Sequence, residues 1–74
     1  MIVYTKPQCP NCEIVRGHLA LRGILFTTVC LDTPKNVAAF KEKYPGARSA
    51  PYVTFDDGTP IGAFAKFKEY LRTI

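Results

Sequence analysis

An α/β fold in the order β-α-β-α-β-β-α, with a four-stranded mixed sheet, follows from three observations on this chain. Two runs rich in β-branched and aromatic residues, Met1 to Thr5 and Ile24 to Leu31, are separated by a stretch with helical apolar spacing. Strands joined through a helix are parallel, and the crossover is right-handed. Further on, Asp56-Asp57-Gly58 stands between two more strand-like runs and signals a hairpin turn. Between the first strand and the first helix sits Cys9-Pro10-Asn11-Cys12. A Cys-x-x-Cys at such a junction reads as a thiol–disulfide redox motif.

Taken in order, residues 1–5 make a short buried strand. The helix after Cys9 carries Ile14, Val15, Leu19 and Leu21 on its apolar stripe, with Glu13 and Arg16 turned away. Gly23 closes it, where a left-handed cap is easiest. The run from Ile24 to Leu31 is the second strand. Asp32 or Thr33 caps a second helix, with Pro34 in its first turn and Val37, Phe40 and Tyr44 as its stripe, and Pro45-Gly46 ends it. Pro51 to Phe55 and Thr59 to Gly62 are the hairpin strands. The last helix, from about Ala63, places Phe64, Phe67, Leu71 and Ile74 on one face.

With 74 residues the expectation is a single domain over residues 1–74 with one modest core. A composition of 47% hydrophobic and 22% charged residues suits burial rather than disorder. No run approaches the roughly 20 apolar residues of a membrane span, and no basic-then-apolar leader opens the chain. Three cysteines are too few, and odd in number, for a secreted disulfide framework. A cytoplasmic protein without a membrane partner is expected. The net charge is +4, yet the ten Lys and Arg are scattered from Lys6 to Arg72 among six acids. Without a basic run, nucleic-acid binding is not expected. Such a surface instead favours an acidic protein partner.

Two residues between the sulfurs let both cysteines face each other on a first helical turn. Pro10 fits the first helical position, whose N–H has no intrahelical partner. Cys9 then lies at the positive end of the helix, where a thiolate is favoured. A zinc site would need two further ligands at about 2.0–2.3 Å. Only His18 and Cys30 remain, and His18 lies about 9 Å along the helix from Cys12. The alternative from another class is a non-catalytic iron–sulfur or zinc module that uses Cys9 with an outside thiol. Cys30, between Val29 and Leu31, reads as a buried small hydrophobe. His18 reads as a partly buried surface side chain at the edge of the stripe.

The string Val3-Tyr4-Thr5-Lys6-Pro7-Gln8-Cys9-Pro10-Asn11-Cys12 resembles the start of glutaredoxins. Ala50-Pro51-Tyr52-Val53 is similar to that family's cis-proline segment. Asp57-Gly58-Thr59-Pro60-Ile61-Gly62-Ala63-Phe64 is similar to its glycine turn before the last helix. The resemblance covers nearly the whole chain and implies a minimal thioredoxin fold. It implies Cys9 as the attacking thiol and Cys12 as the resolving one, in an oxidoreductase that reduces protein disulfides. It implies a substrate surface of Lys6, Pro10, Asn11, Arg48, Ala50, Pro51 and Gly62, with the Ala50–Pro51 bond cis. No metal or organic cofactor is implied beyond the Cys9–Cys12 disulfide itself.

Two branches of the family are re-reduced differently, one by glutathione and one by thioredoxin reductase. Gly46-Ala47-Arg48-Ser49-Ala50-Pro51 resembles the second branch, whose members supply ribonucleotide reductase; the tail is similar to small phage-type glutaredoxins. Lys6 matches a contact to a glutathione carboxylate. Asn11 replaces the tyrosine common between the cysteines, and no acid stands near Ala65 to hold the glutathione ammonium. The implied partners are a disulfide-containing client, ribonucleotide reductase among them, and either reductant acting on a monomer.

Overall fold

The computed structural model describes residues 1–47 and 50–73. They form β1 (Ile2–Thr5), α1 (Pro10–Leu21), β2 (Thr27–Cys30), α2 (Pro34–Lys43), β3 (Tyr52–Thr54), β4 (Pro60–Ala63) and α3 (Phe64–Leu71). The sheet runs β2-β1-β3-β4. β1 pairs in parallel with β2 and antiparallel with β3, and β4 returns antiparallel beside β3. This is the mixed four-stranded sheet expected of the chain.

Alternation along β1 sends side chains to two layers. Val3 meets Val15 and Leu19 of α1, Val53 of β3, and Phe67 and Leu71 of α3, which together make the main core. On the opposite face Tyr4 packs on Phe40 of α2, with ring centroids 4.8 Å apart, and on Tyr44 at 5.8 Å. Tyr52 closes that cluster at 5.4 Å from Phe40 and 5.2 Å from Tyr44. Offset and edge-on aromatic pairs contribute about 0.5–1.5 kcal/mol each beyond area burial. They fasten α2, and the Tyr44 hydroxyl donates to the Gly58 carbonyl at 2.8 Å.

Helix α1 ends as its sequence predicts. Gly23 takes φ +68°, its N–H donates to the Ala20 carbonyl at 3.1 Å, and the Ile24 N–H donates to Leu19 at 3.0 Å. That pair of bonds satisfies carbonyls the helix end leaves open, and it folds Ile24 back onto the core. For α2, Thr33 is the N-cap: its hydroxyl accepts the Asn36 N–H at 3.2 Å, and Pro34 opens the helix. Gly58, at φ +93°, closes the β3–β4 turn by donating to the Phe55 carbonyl at 3.0 Å. Asp57 accepts the Thr59 N–H there at 2.9 Å, which lowers its carboxyl below the usual value.

Three expectations are corrected. The inward stripe of α1 is Cys12, Val15 and Leu19, whereas Ile14 and Leu21 are 45% and 86% exposed. The helix rests one narrow face on the sheet, so those two residues fall beside it rather than beneath it. The second strand starts at Thr27, not Ile24, because its partner β1 starts at Ile2, the residue opposite Thr27. Cys30 is half-buried rather than buried, since β2 is one of the two edge strands of the sheet. Ile74, expected on the last helix, lies outside the described residues.

Candidate active site

The link from β1 to α1 is short, and Gln8 makes it possible by turning with φ 55°. A non-glycine residue pays about 1–2 kcal/mol for that left-handed turn. The strain stands directly before Cys9. Nothing in the sequence marks it, because glutamine is not a residue expected there.

Cys9 is the N-cap of α1 and Pro10 its first residue. The Cys9 Sγ accepts the Cys12 N–H at 3.3 Å. A sulfur in that position receives a donor that the helix would otherwise leave unpaired. Cys9 is half-buried, while Cys12 is only 1% exposed. Burial pushes the Cys12 thiol up to about 11, with the Cys9 sulfur adding to the effect and the Lys6 amide and Arg16 opposing it. The two thiols are thus unequal: one is reachable, the other is withheld.

From the other side, the Cys9 Sγ lies 3.9 Å from the Ala50 carbonyl oxygen. The Ala50–Pro51 peptide is cis, as the resemblance implies, and Pro51 is fully buried. The structure therefore brings Cys9, Cys12, Ala50 and Pro51 together across 41 residues of chain. Lys6 joins them, lining both concavities at this end of the molecule. The larger, about 760 Å³, runs beside Cys9 past Gln8, Arg16, Thr28 and Cys30. The smaller, about 170 Å³, lies under Ala47 and Ala50 against Val37 and Lys41 of α2.

Pro10 and Asn11 are exposed at the head of α1. Gly62 is set further off, across from Val53 on β4. Its φ is +132°, and a Cβ there would come within 2.6 Å of the Lys66 Cβ, so the chain needs glycine at this point. Arg48 lies outside the described residues. Ala65 is exposed near the start of α3, which has no acid in its first turn.

Sequence reasoning missed Gln8, Arg16, Thr28 and Cys30 as walls of the larger groove. The alternation of β2 could have found the last two, since residues two apart share a face. Among the described residues no three His, Cys, Asp or Glu side chains converge on a metal position.

A sheet of this order, with a thiol pair at a helix head against a cis-proline, is a thioredoxin-like fold. Residues 1–59 match the glutaredoxin family model, and the chain belongs to the glutaredoxin family. It is 36% identical over 59 residues to the Gene 56 protein of Mycobacterium phage L5, across 80% of this chain and 57% of that protein. The chain thus spans little more than half the length of that relative. Buckwheat glutaredoxin, solved in complex with glutathione, superposes with a TM-score of 0.79 at 27% identity, covering 97% of this chain and 67% of that one. Glutaredoxin 1 from Francisella tularensis, solved with cacodylate, shares the fold at a TM-score of 0.77 and 22% identity, covering 97% and 91%.

Proposed function

We propose that this chain reduces protein disulfides by dithiol exchange, with Cys9 attacking and Cys12 resolving. The observation that carries the reading is the inequality of the two sulfurs. Only Cys9 is reachable by a large substrate, and it holds a backbone donor. The Cys9 thiolate attacks one substrate sulfur, forms a mixed disulfide and releases the other sulfur as a thiolate. Cys12 then loses its proton and attacks the Cys9 sulfur. The Cys9–Cys12 disulfide forms, the second substrate sulfur leaves and takes up a proton, and the substrate has gained two electrons. Once Cys9 is tied up in the mixed disulfide, its contribution to holding the Cys12 proton lapses, which leaves burial opposed by the Lys6 amide and Arg16.

The Ala50 backbone beside Cys9, with Lys6, Pro10, Asn11 and Pro51, forms the proposed substrate surface; Gly62 and Arg48 enter it by family resemblance. Reducing equivalents come from glutathione or from thioredoxin reductase. The glutathione complex of the buckwheat relative supports the first. The absence of an acid in the first turn of α3 favours the second. Ribonucleotide reductase is a client by resemblance, and the working form is proposed as a cytoplasmic monomer. The test is to offer the oxidised protein glutathione and thioredoxin reductase separately and time its re-reduction. Failure of both to reduce the Cys9–Cys12 disulfide would refute the function.

A further inference from the structure

At the far end of α1 a second feature stands apart from the thiols. His18 and Arg22, one turn apart on α1, face Lys68 and Arg72, one turn apart at the end of α3, across a concavity of about 230 Å³ floored by Leu71. Arg22, Lys68 and Arg72 are exposed. The ion pairs among the described residues join Met1 to Asp56, Arg16 to Glu13 and Lys66 to Glu69, and none reaches this cluster. Like charges four apart on a helix repel, as Lys68 and Arg72 do here, and Arg22 brings a third cation to the same concavity. The carbonyl ends of the helices account for Arg22 and Arg72, which sit at the two C-caps. Lys68 lies in the last turn of α3, its ammonium 5.3 Å from the Phe64 ring centroid, and among the described residues no carboxylate pairs with any of the three. Leu21 and Leu25, on either side of Arg22, are 86% and 89% exposed.

We propose that this face docks an acidic, leucine-containing segment of a partner protein. Carboxylates would neutralise the converging cations, and leucines of the segment would cover Leu21 and Leu25, which flank Arg22 in the chain. The concavity holds one or two side chains, not a row of phosphates, and leucines offer bases nothing to stack on. The twelve residues of α1 put it about 18 Å from Cys9. A partner could be held here while Cys9 works, and the proposal does not depend on the thiol reading.

The test is an amide NMR titration of the reduced, isotope-labelled chain with a short peptide of glutamates and leucines. Parallel arms use the same peptide with glutamine for glutamate, a DNA duplex, and vesicles of phosphatidylserine. The acidic peptide should shift the amides of residues 18–25 and 68–72, weaken with added salt, and leave residues 6–12 unmoved. R22E/K68E should weaken it about tenfold or more. A lysine–leucine peptide should bind R22E/K68E and not the wild type, while turnover of a small disulfide stays at the wild-type rate. Unmoved amides at this face, or unchanged affinity in R22E/K68E, overturns the site. Stronger binding of the duplex or the vesicles at these amides overturns the partner class.

Discussion

Cys12 gives the sharpest quantitative expectation. Its thiol is raised from 9.0 to about 11, with burial the largest cause. At pH 8 about one molecule in a thousand then carries the Cys12 thiolate, against about one in ten for an unburied thiol. Iodoacetamide should therefore label Cys9 in the reduced protein and leave Cys12 intact, with peptide mass spectrometry as the readout. The same displacement has a stability consequence whose sign is fixed. A raised value means the folded state holds its proton longer than the unfolded state. The contribution is whole below pH 9 and is lost as pH rises through about 11. Two pH units amount to about 3 kcal/mol. Urea melts of wild type and Cys12→Ala at pH 8 and pH 11 should show the wild type losing about 2–3 kcal/mol more than the variant. Parallel losses, or labelling of Cys12 as fast as Cys9, would refute the reasoning.

Four shorter expectations follow from the site and the sheet. Cys12→Ser should accumulate mixed disulfides at Cys9 and stop turning over protein substrates unless an external thiol is supplied, as seen on non-reducing gels. Gly62→Ala should cost at least about 1 kcal/mol by chemical denaturation, because φ is positive and the Lys66 Cβ blocks the new methyl. Thr54→Val should stabilise the fold by about 1 kcal/mol in the same assay, since the Thr54 hydroxyl is buried without a partner among the described residues. Ala65→Asp should raise glutathione-dependent turnover about tenfold or more, the value of a charged hydrogen bond to the ammonium. A wild type that already saturates at low glutathione, with no gain in the variant, would place the chain in the glutathione-fed branch.

Most of the architecture was legible because its punctuation is chemical. Gly23, Thr33-Pro34 and Asp57-Gly58 each have a backbone reason to stand where they do, and the structure uses each in that way. The thiol pair and its approach to Ala50 were legible too, through motif and family resemblance. What escaped were quantities that a single strand of text does not carry. The exposure of Ile14 and Leu21 depends on how far α1 rolls over the sheet. The position of Cys30 depends on which strand is outermost, and the order β2-β1-β3-β4 is a property of pairing partners. Gln8 escaped for a different reason. Its left-handed turn is imposed by its neighbours against its own preference, so composition points away from it.

The ring cluster between the sheet and α2 has an optical consequence. The chain has no tryptophan, so its near-ultraviolet signal arises from tyrosine and phenylalanine. Tyr4, Tyr44 and Tyr52 surround Phe40 within 6 Å of one another along the contacts described. Burial, with Tyr44 beside it, holds the Tyr4 phenol above its usual value. Chiral coupling among these rings therefore reports the seating of α2 in near-ultraviolet circular dichroism. Because the cluster lies on the face away from α1, the spectrum serves as an internal gauge of fold integrity when the thiols are chemically altered.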